Sequence, residues 1–199
     1  MILSEYSKAI YKSNIPQEYQ HLKFIGQGAT SMILDYDATH VIMLTRDKMK
    51  KDWLCNELEI ADWIKTYDQD IDVSVAYHKR HKVQEMPVYV LKVDKLFPLD
   101  SKNKTLARKA LSYYDKVVAK FTKRGVTDYS KVSSFLEDME DKYGIHGKMK
   151  QLFDFYCNYN PEQYTHDLAL RNMMQTIKGD LVLSDPVADR ELIYYLSYR

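Results

Sequence analysis

Asp167, Asn172 and Asp185 are residues whose types and spacing fit one piece of chemistry. Asn172 follows Asp167 by five residues, and Asp185 comes thirteen residues after that. The apolar runs Met173-Met174 and Leu181-Val182-Leu183 lie between Asn172 and Asp185. They flank Thr176-Ile-Lys-Gly-Asp180, where Lys178-Gly179-Asp180 has the turn chemistry of a tight hairpin. Such a hairpin brings Asn172 and Asp185 together at its open end, with Asp167 nearby. Two carboxylates and an amide oxygen form a hard, all-oxygen set. Mg²⁺ takes such a set when phosphates supply its remaining ligands. The plainer reading is a surface loop with ordinary turn carboxylates.

A second candidate lies near the start of the chain. Leu22-Lys-Phe-Ile25 reads as a strand, runs into Gly26-Gln-Gly-Ala-Thr-Ser31, and apolar chain resumes at Met32-Ile33-Leu34. Two glycines one residue apart between strands permit a turn whose backbone N–H groups can approach phosphate.

The remaining elements must position these two stretches. Residues 1–20 read as a short lead-in interrupted by Pro16, and Val41-Ile-Met-Leu44 as a strand. Asp47 can cap a helix over about 48–66, with Trp53, Leu54, Ile60, Ala61 and Ile64 inward. Glu57 falls in the middle of that apolar stripe, where a carboxylate needs a partner. Arg46 or a nearby lysine would serve. Val73–Tyr77 and Val88–Val93 read as strands, joined by a basic turn at His78–Lys82. The chain then crosses from Val93 to Pro98. Helices are expected from Thr105 to Arg124, from Asp128 to Gly144 and from Lys148 to Tyr159, with a short helix or tail over 188–199.

Composition narrows the class. The chain has 199 residues, enough for one large domain or two small lobes. Its 29 basic and 28 acidic residues leave a net charge of +1. That gives no footprint for direct nucleic-acid binding and no polybasic membrane surface. Cys55 and Cys157 lie far apart without metal-ligand spacing, as in a reduced intracellular protein. The start of the chain lacks a signal-peptide pattern, and no apolar run approaches the length of a membrane span.

The order strand, glycine-rich turn, strand, helix, strands, crossing, helices, Asp-x-x-x-x-Asn, hairpin, Asp resembles the protein-kinase fold. More closely, the chain resembles the small serine/threonine kinases made early in infection by podophages of the autographivirus type. Ile25-Gly-Gln-Gly-Ala-Thr-Ser31, the loop from Asp167 to Asn172 ending in Asn-Met-Met, and Ser184-Asp-Pro-Val187 carry that resemblance. It implies an α+β, two-lobed, protein-kinase-like fold: a β-rich N-lobe over 1–97 and a reduced helical C-lobe over 98–199. It implies ATP and Mg²⁺ as cofactors. Asp167 would orient the attacking hydroxyl, Asn172 and Asp185 would hold the metal, and Gly26, Gln27, Gly28, Ala29, Thr30, Ser31 and Ile33 would line the phosphates. Backbone near Val93 would meet the adenine. The partners implied are host bacterial proteins, including the transcription machinery, in the host cytoplasm.

Several positions depart from the family pattern. Ser31 stands where the third glycine would, and is small enough to donate to a phosphate oxygen. The strand that carries the phosphate-positioning lysine in kinases has Met43 at that place. Met43 is then an engineered replacement of lysine, or a native residue with the lysine relocated to Lys23, Lys48 or Lys50, or the mark of a shifted strand register. Glu57 corresponds to the helix glutamate that pairs with the strand lysine. Thr165 and His166 replace the His-Arg of the triplet before Asp167. Ala169 replaces the lysine that steadies the γ-phosphate, a task Arg171 could take. Fourteen residues follow Asp185, which leaves no room for an activation loop or peptide-binding helices.

The leading expectation is therefore an ATP-dependent serine/threonine protein kinase, disabled here by Met43. The alternatives are a pseudokinase that sequesters a host protein, with Met43 native, and a small-molecule phosphotransferase.

Overall fold

The computed structural model describes residues 15–28, 30–75, 80–123, 126–127, 164–166, 169–190 and 192. They form a mixed α and β arrangement, rich in sheet with few helices. The chain divides into two compact units, Met1–Lys95 with Ala188–Arg199, and Leu96–Val187.

The first unit is built on β1 (Lys23–Gln27), β2 (Ser31–Asp35), β3 (His40–Thr45), β4 (Ala61–Val75) and β5 (Arg80–Asp94). They form one antiparallel sheet in the order β1-β2-β3-β5-β4. Directly opposed residues of antiparallel strands share a face, so the ladder sorts the side chains. Met32, Leu34, Ile42, Leu44, Val88 and Val90 are buried on one face, against Ile15, Tyr19, Leu22 and Tyr67. Ser31, Ile33, Met43, Thr45, Tyr89 and Leu91 lie on the other. β3 pairs with β5 only from Tyr89 to Asp94, so the stretch of β5 before Tyr89 continues with β4 as a two-stranded ribbon.

After β3, Asp47 caps α1 (Lys48–Asp52) by accepting a hydrogen bond from the Lys50 amide at 3.1 Å. A π-type turn, Trp53–Glu57, follows. The expected helix over 48–66 is therefore corrected: it ends at Glu57, and the chain is in β4 from Ala61. Two features stop it. Glu59 adopts a left-handed conformation at φ 53°, and the Ile60 amide turns back to the Leu54 carbonyl at 3.1 Å. Ala61 then pairs with Val93, so ladder formation claims residues with an ambiguous apolar pattern. Lys51 of α1 lies over the rings of Trp63 and Tyr89, at 4.7 and 5.7 Å from their centroids, which puts α1 on the Met43 face.

The expected strands 73–77 and 88–93 are the distal part of β4 and the end of β5. Arg80–Lys82, expected in the connecting turn, are strand, because β5 begins at Arg80; residues 76–79 lie outside the described residues.

In the second unit, Asp100 opens α2 (Ser101–Phe121) by accepting from the Asn103 amide at 2.7 Å. The helix begins four residues earlier than the sequence suggested and ends three residues sooner. Short strands β6 (Thr122–Lys123) and β7 (Val126–Thr127) form a small hairpin. Strands β8 (Tyr164–His166), β9 (Met173–Gln175) and β10 (Leu181–Leu183) follow, and β11 (Val187–Asp189) starts at the last residue of this unit, its other two residues belonging to the first. The helices expected over 128–144 and 148–159 lie outside the described residues, as does most of the expected C-terminal helix. Where that helix was to begin, residues 187–189 are strand.

Candidate functional site

In the second unit, β9 and β10 pair in the register Met173↔Leu183, Met174↔Val182, Gln175↔Leu181. The turn closes where Lys178-Gly179-Asp180 predicts. The Thr176 amide donates to the Asp180 carbonyl at 2.9 Å, and Gly179 takes φ +88°, a conformation glycine adopts without strain. The Thr176 hydroxyl oxygen accepts from the amides of Lys178 and Asp180, at 3.2 and 3.1 Å.

At the open end, the Asn172 carbonyl receives three donors. They are the amides of Ser184 and Asp185, at 3.0 and 3.2 Å, and the Ser184 hydroxyl at 3.0 Å. Asn172 closes a 3₁₀ turn, Leu170–Asn172, through its amide on the Ala169 carbonyl at 2.9 Å. Asn172 and Asp185 are thus side by side and half-buried, as the spacing predicts. Arg171, one step before, is exposed. Asp167 lies outside the described residues.

The hairpin is held from behind. The Asn103 side-chain amide, buried on α2, donates at 2.7 Å to both the Gln175 Oε1 and the Gly179 carbonyl. Gln175 also exchanges backbone hydrogen bonds with Phe97, at 2.8 and 2.9 Å. Nothing in the sequence pattern singles out Asn103; a buried amide on a helix face becomes legible only once its acceptors are known.

In the first unit, Gly28 closes the turn between β1 and β2 by donating to the Ser31 carbonyl at 2.8 Å. Gly26 is inside β1, opposite Ile33. A methyl group built on Gly26 or Gly28 would meet nothing within 4 Å, so packing does not require either glycine. Ala29 lies outside the described residues. Gln27 Oε1 is buried and meets no donor among the described residues.

Ser31 is buried, and its hydroxyl donates inward to Thr45 Oγ1 at 2.8 Å. That bond engages the hydroxyl proton that was expected to go to a phosphate oxygen. Thr45 donates in turn to the Thr30 carbonyl at 3.3 Å. Lys50, only 5 % exposed, directs its Nζ to Ser31 Oγ at 3.1 Å and Thr30 Oγ1 at 3.3 Å. Asp47, fully buried, accepts from the Asp189 amide at 3.2 Å to each carboxylate oxygen.

Met43 is in the middle of the sheet, opposite Ile33 on β2 and Leu91 on β5, and half-buried. Glu57 ends the π-type turn, half-buried. Ile60 and Ala61, which were to flank it on a helix, have left the helix, so it is not a mid-stripe carboxylate. Val93 is buried within β5, opposite both Val41 and Ala61, so it is a ladder residue rather than a crossing residue. The Asp94 amide is taken by the Ile60 carbonyl at 2.8 Å and the Lys95 amide by the Thr39 carbonyl at 2.7 Å.

Among the described residues no group of three or more His, Cys, Asp or Glu side chains could hold a metal ion, and no helix is long and apolar enough to cross a membrane. Asn172 and Asp185 therefore give two neighbouring residues of oxygen-donor type, a partial set for Mg²⁺. Comparison with protein-family models, with curated proteins and with solved structures yields no match for this chain.

Proposed function

We propose that this chain has the framework of an ATP-dependent serine/threonine protein kinase of two-lobed type, acting on host bacterial proteins, with transfer impaired by Met43. The observation that carries the reading is the junction of Asn172 with Asp185 at the open end of the β9–β10 hairpin. Two residues of oxygen-donor type, thirteen positions apart, are joined through backbone by a turn and a three-donor carbonyl, which supports their sharing a metal ion as in a kinase site. The first unit supports it independently. Packing requires neither Gly28 in the β1–β2 turn nor Gly26 in the strand before it, which leaves room for close approach of a ligand to the backbone.

In this reading Asp167 accepts the proton of a substrate hydroxyl as its oxygen bonds to the γ-phosphorus. The bond from that phosphorus to the bridging oxygen breaks, and ADP leaves. Mg²⁺, when bound, neutralises charge on the phosphates. Asn172 and Asp185 would hold it, Gly26 and Gly28 would admit the phosphates, and exposed Arg171 would offer its charge in place of the lysine absent at Ala169. Such catalysis is positioning and charge neutralisation.

A nucleotide-binding protein without transfer is the second reading. Met43, apolar at the centre of β3, favours it. Phosphate transfer from labelled ATP with Mg²⁺ separates the two, comparing this chain with Met43→Lys, each with itself and a bacterial lysate as acceptors. Labelling of protein by Met43→Lys but not by the parent supports an impaired kinase. Nucleotide binding with no transfer by either form supports the binding protein. Absence of both overturns the phosphate chemistry.

A further inference from the structure

Resting on that nucleotide reading, we propose that Lys50 supplies, from α1, the positive charge to the nucleotide phosphates that position 43 of β3 lacks. Of the three lysines near the glycine turn, Lys23 and Lys48 are exposed. Lys50 alone of them is buried, and its Nζ is directed at the turn itself, onto Thr30 Oγ1 and Ser31 Oγ.

The proton order in this cluster is fixed. Lys50 Nζ has only donors, so both hydroxyls present lone pairs to it. Ser31 passes its proton to Thr45, and Thr45 passes its own to the Thr30 carbonyl. The hydroxyl dipoles therefore line up with their oxygen ends toward the cation and hold it at the base of the turn. Burying a charged amine in this way is costly unless it is well solvated by such groups, and in that environment its field is screened less than at the surface. The cluster places a cation at Thr30 and Ser31 of the turn that Gly28 closes. Met43, on the same sheet face as Ser31 and Thr45, has no charge to compete with it.

The test measures affinity for MgATP and for adenosine by calorimetry on the full chain, on Lys50→Met, on Lys50→Arg and on Lys50→Met combined with Met43→Lys. The expected result is a loss of about tenfold or more in MgATP affinity in Lys50→Met, with adenosine affinity unchanged. Lys50→Arg retains most of the affinity, and Met43→Lys restores it in the double variant. A purely structural role would lower both affinities together. In case Lys50→Met does not fold, the ¹³Cε resonance of Lys50 in the unaltered protein provides a second readout. It should shift with MgATP and tripolyphosphate but not with adenosine. Unchanged MgATP affinity in folded Lys50→Met, or a Lys50 resonance indifferent to triphosphate, overturns the role of Lys50 and leaves the nucleotide reading standing. Binding of no nucleotide by any form, Met43→Lys included, overturns the nucleotide reading itself.

Discussion

The amide of Asp185 donates to the carbonyl of Asn172 at 3.2 Å, so the contact that joins them is made by backbone. Exchanging the Asp185 carboxylate for an amide leaves this bond in place. Asp185→Asn should therefore keep this junction while abolishing the gain in ATP affinity that Mg²⁺ gives. Removing the Ser184 hydroxyl, one of three donors on the Asn172 carbonyl, should cost about 1 kcal/mol. Calorimetric titration of ATP with and without Mg²⁺ decides the matter. A preserved Mg²⁺ effect in Asp185→Asn removes this residue from the metal site.

Asn103 holds the same hairpin from α2. Its side-chain amide serves two acceptors at 2.7 Å, and Asn103→Leu removes that donor from both, although Gln175 Oε1 keeps the Asp100 amide at 3.1 Å. The expected loss is about 1–3 kcal/mol, chiefly from the Gly179 carbonyl left without this donor. Amide exchange over residues 173–183 should accelerate with it. Stability unchanged to within 0.5 kcal/mol or so, the usual scatter of surface substitutions, would show that the hairpin does not depend on α2.

Glu59 offers a change in the opposite direction. It holds φ 53° at the point where the π-type turn ends and the chain turns toward β4. A side chain in this conformation costs about 1 kcal/mol relative to glycine. Glu59→Gly should relieve that cost, partly offset by the greater freedom of glycine in the unfolded chain, for a net stabilisation of a few tenths to about 1 kcal/mol. Urea denaturation measures it, and a drop in midpoint would mean that the Glu59 side chain contributes more than its conformation costs.

The β2–β3 turn predicts a pH effect. The amide of Thr39 donates to Asp37 and holds its carboxyl below the usual range, helped by the His40 ring, the Thr39 hydroxyl and the His40 amide, against a smaller effect of burial. A depressed folded value means that the contribution to stability is complete above the unfolded carboxylate value, near about 4, and is lost as the pH falls below it. Asp37→Asn keeps an acceptor oxygen but cannot titrate. The difference in Tm between the parent and Asp37→Asn should narrow between pH 7 and pH 3. An equal difference at both values would place the effect elsewhere.

The parts of this fold that local chemistry dictates were legible in the residues. Lys178-Gly179-Asp180 specified its turn, and the turn fixed the register that sets Asn172 beside Asp185. The strand around Met43 was legible for the same reason, an apolar run bounded by turn residues. The segment from Ile60 onward was not. Its apolar residues fit a helical stripe nearly as well as a strand, and pairing of Ala61 with Val93, more than thirty positions away, decided the outcome. Glu57 lost its expected setting with that helix. Lys50 was one of three lysines of equal standing in the sequence; the Thr30, Ser31 and Thr45 hydroxyls that single it out come from two other strands or their edges.

The hydrogen bonds from the Asp189 amide to Asp47 join residues 142 positions apart. Asp47 also caps α1, the helix that carries Lys50. The first unit is therefore discontinuous along the chain. A nascent polypeptide that has emerged only as far as β5 has every strand of the main sheet, yet the cap of α1 still lacks one of its donors. Completion of that corner waits on a segment far beyond β5 in the chain, and the long loop to be closed slows the step. The order of assembly is thus sheet first, with the last donors to the α1 cap arriving afterwards.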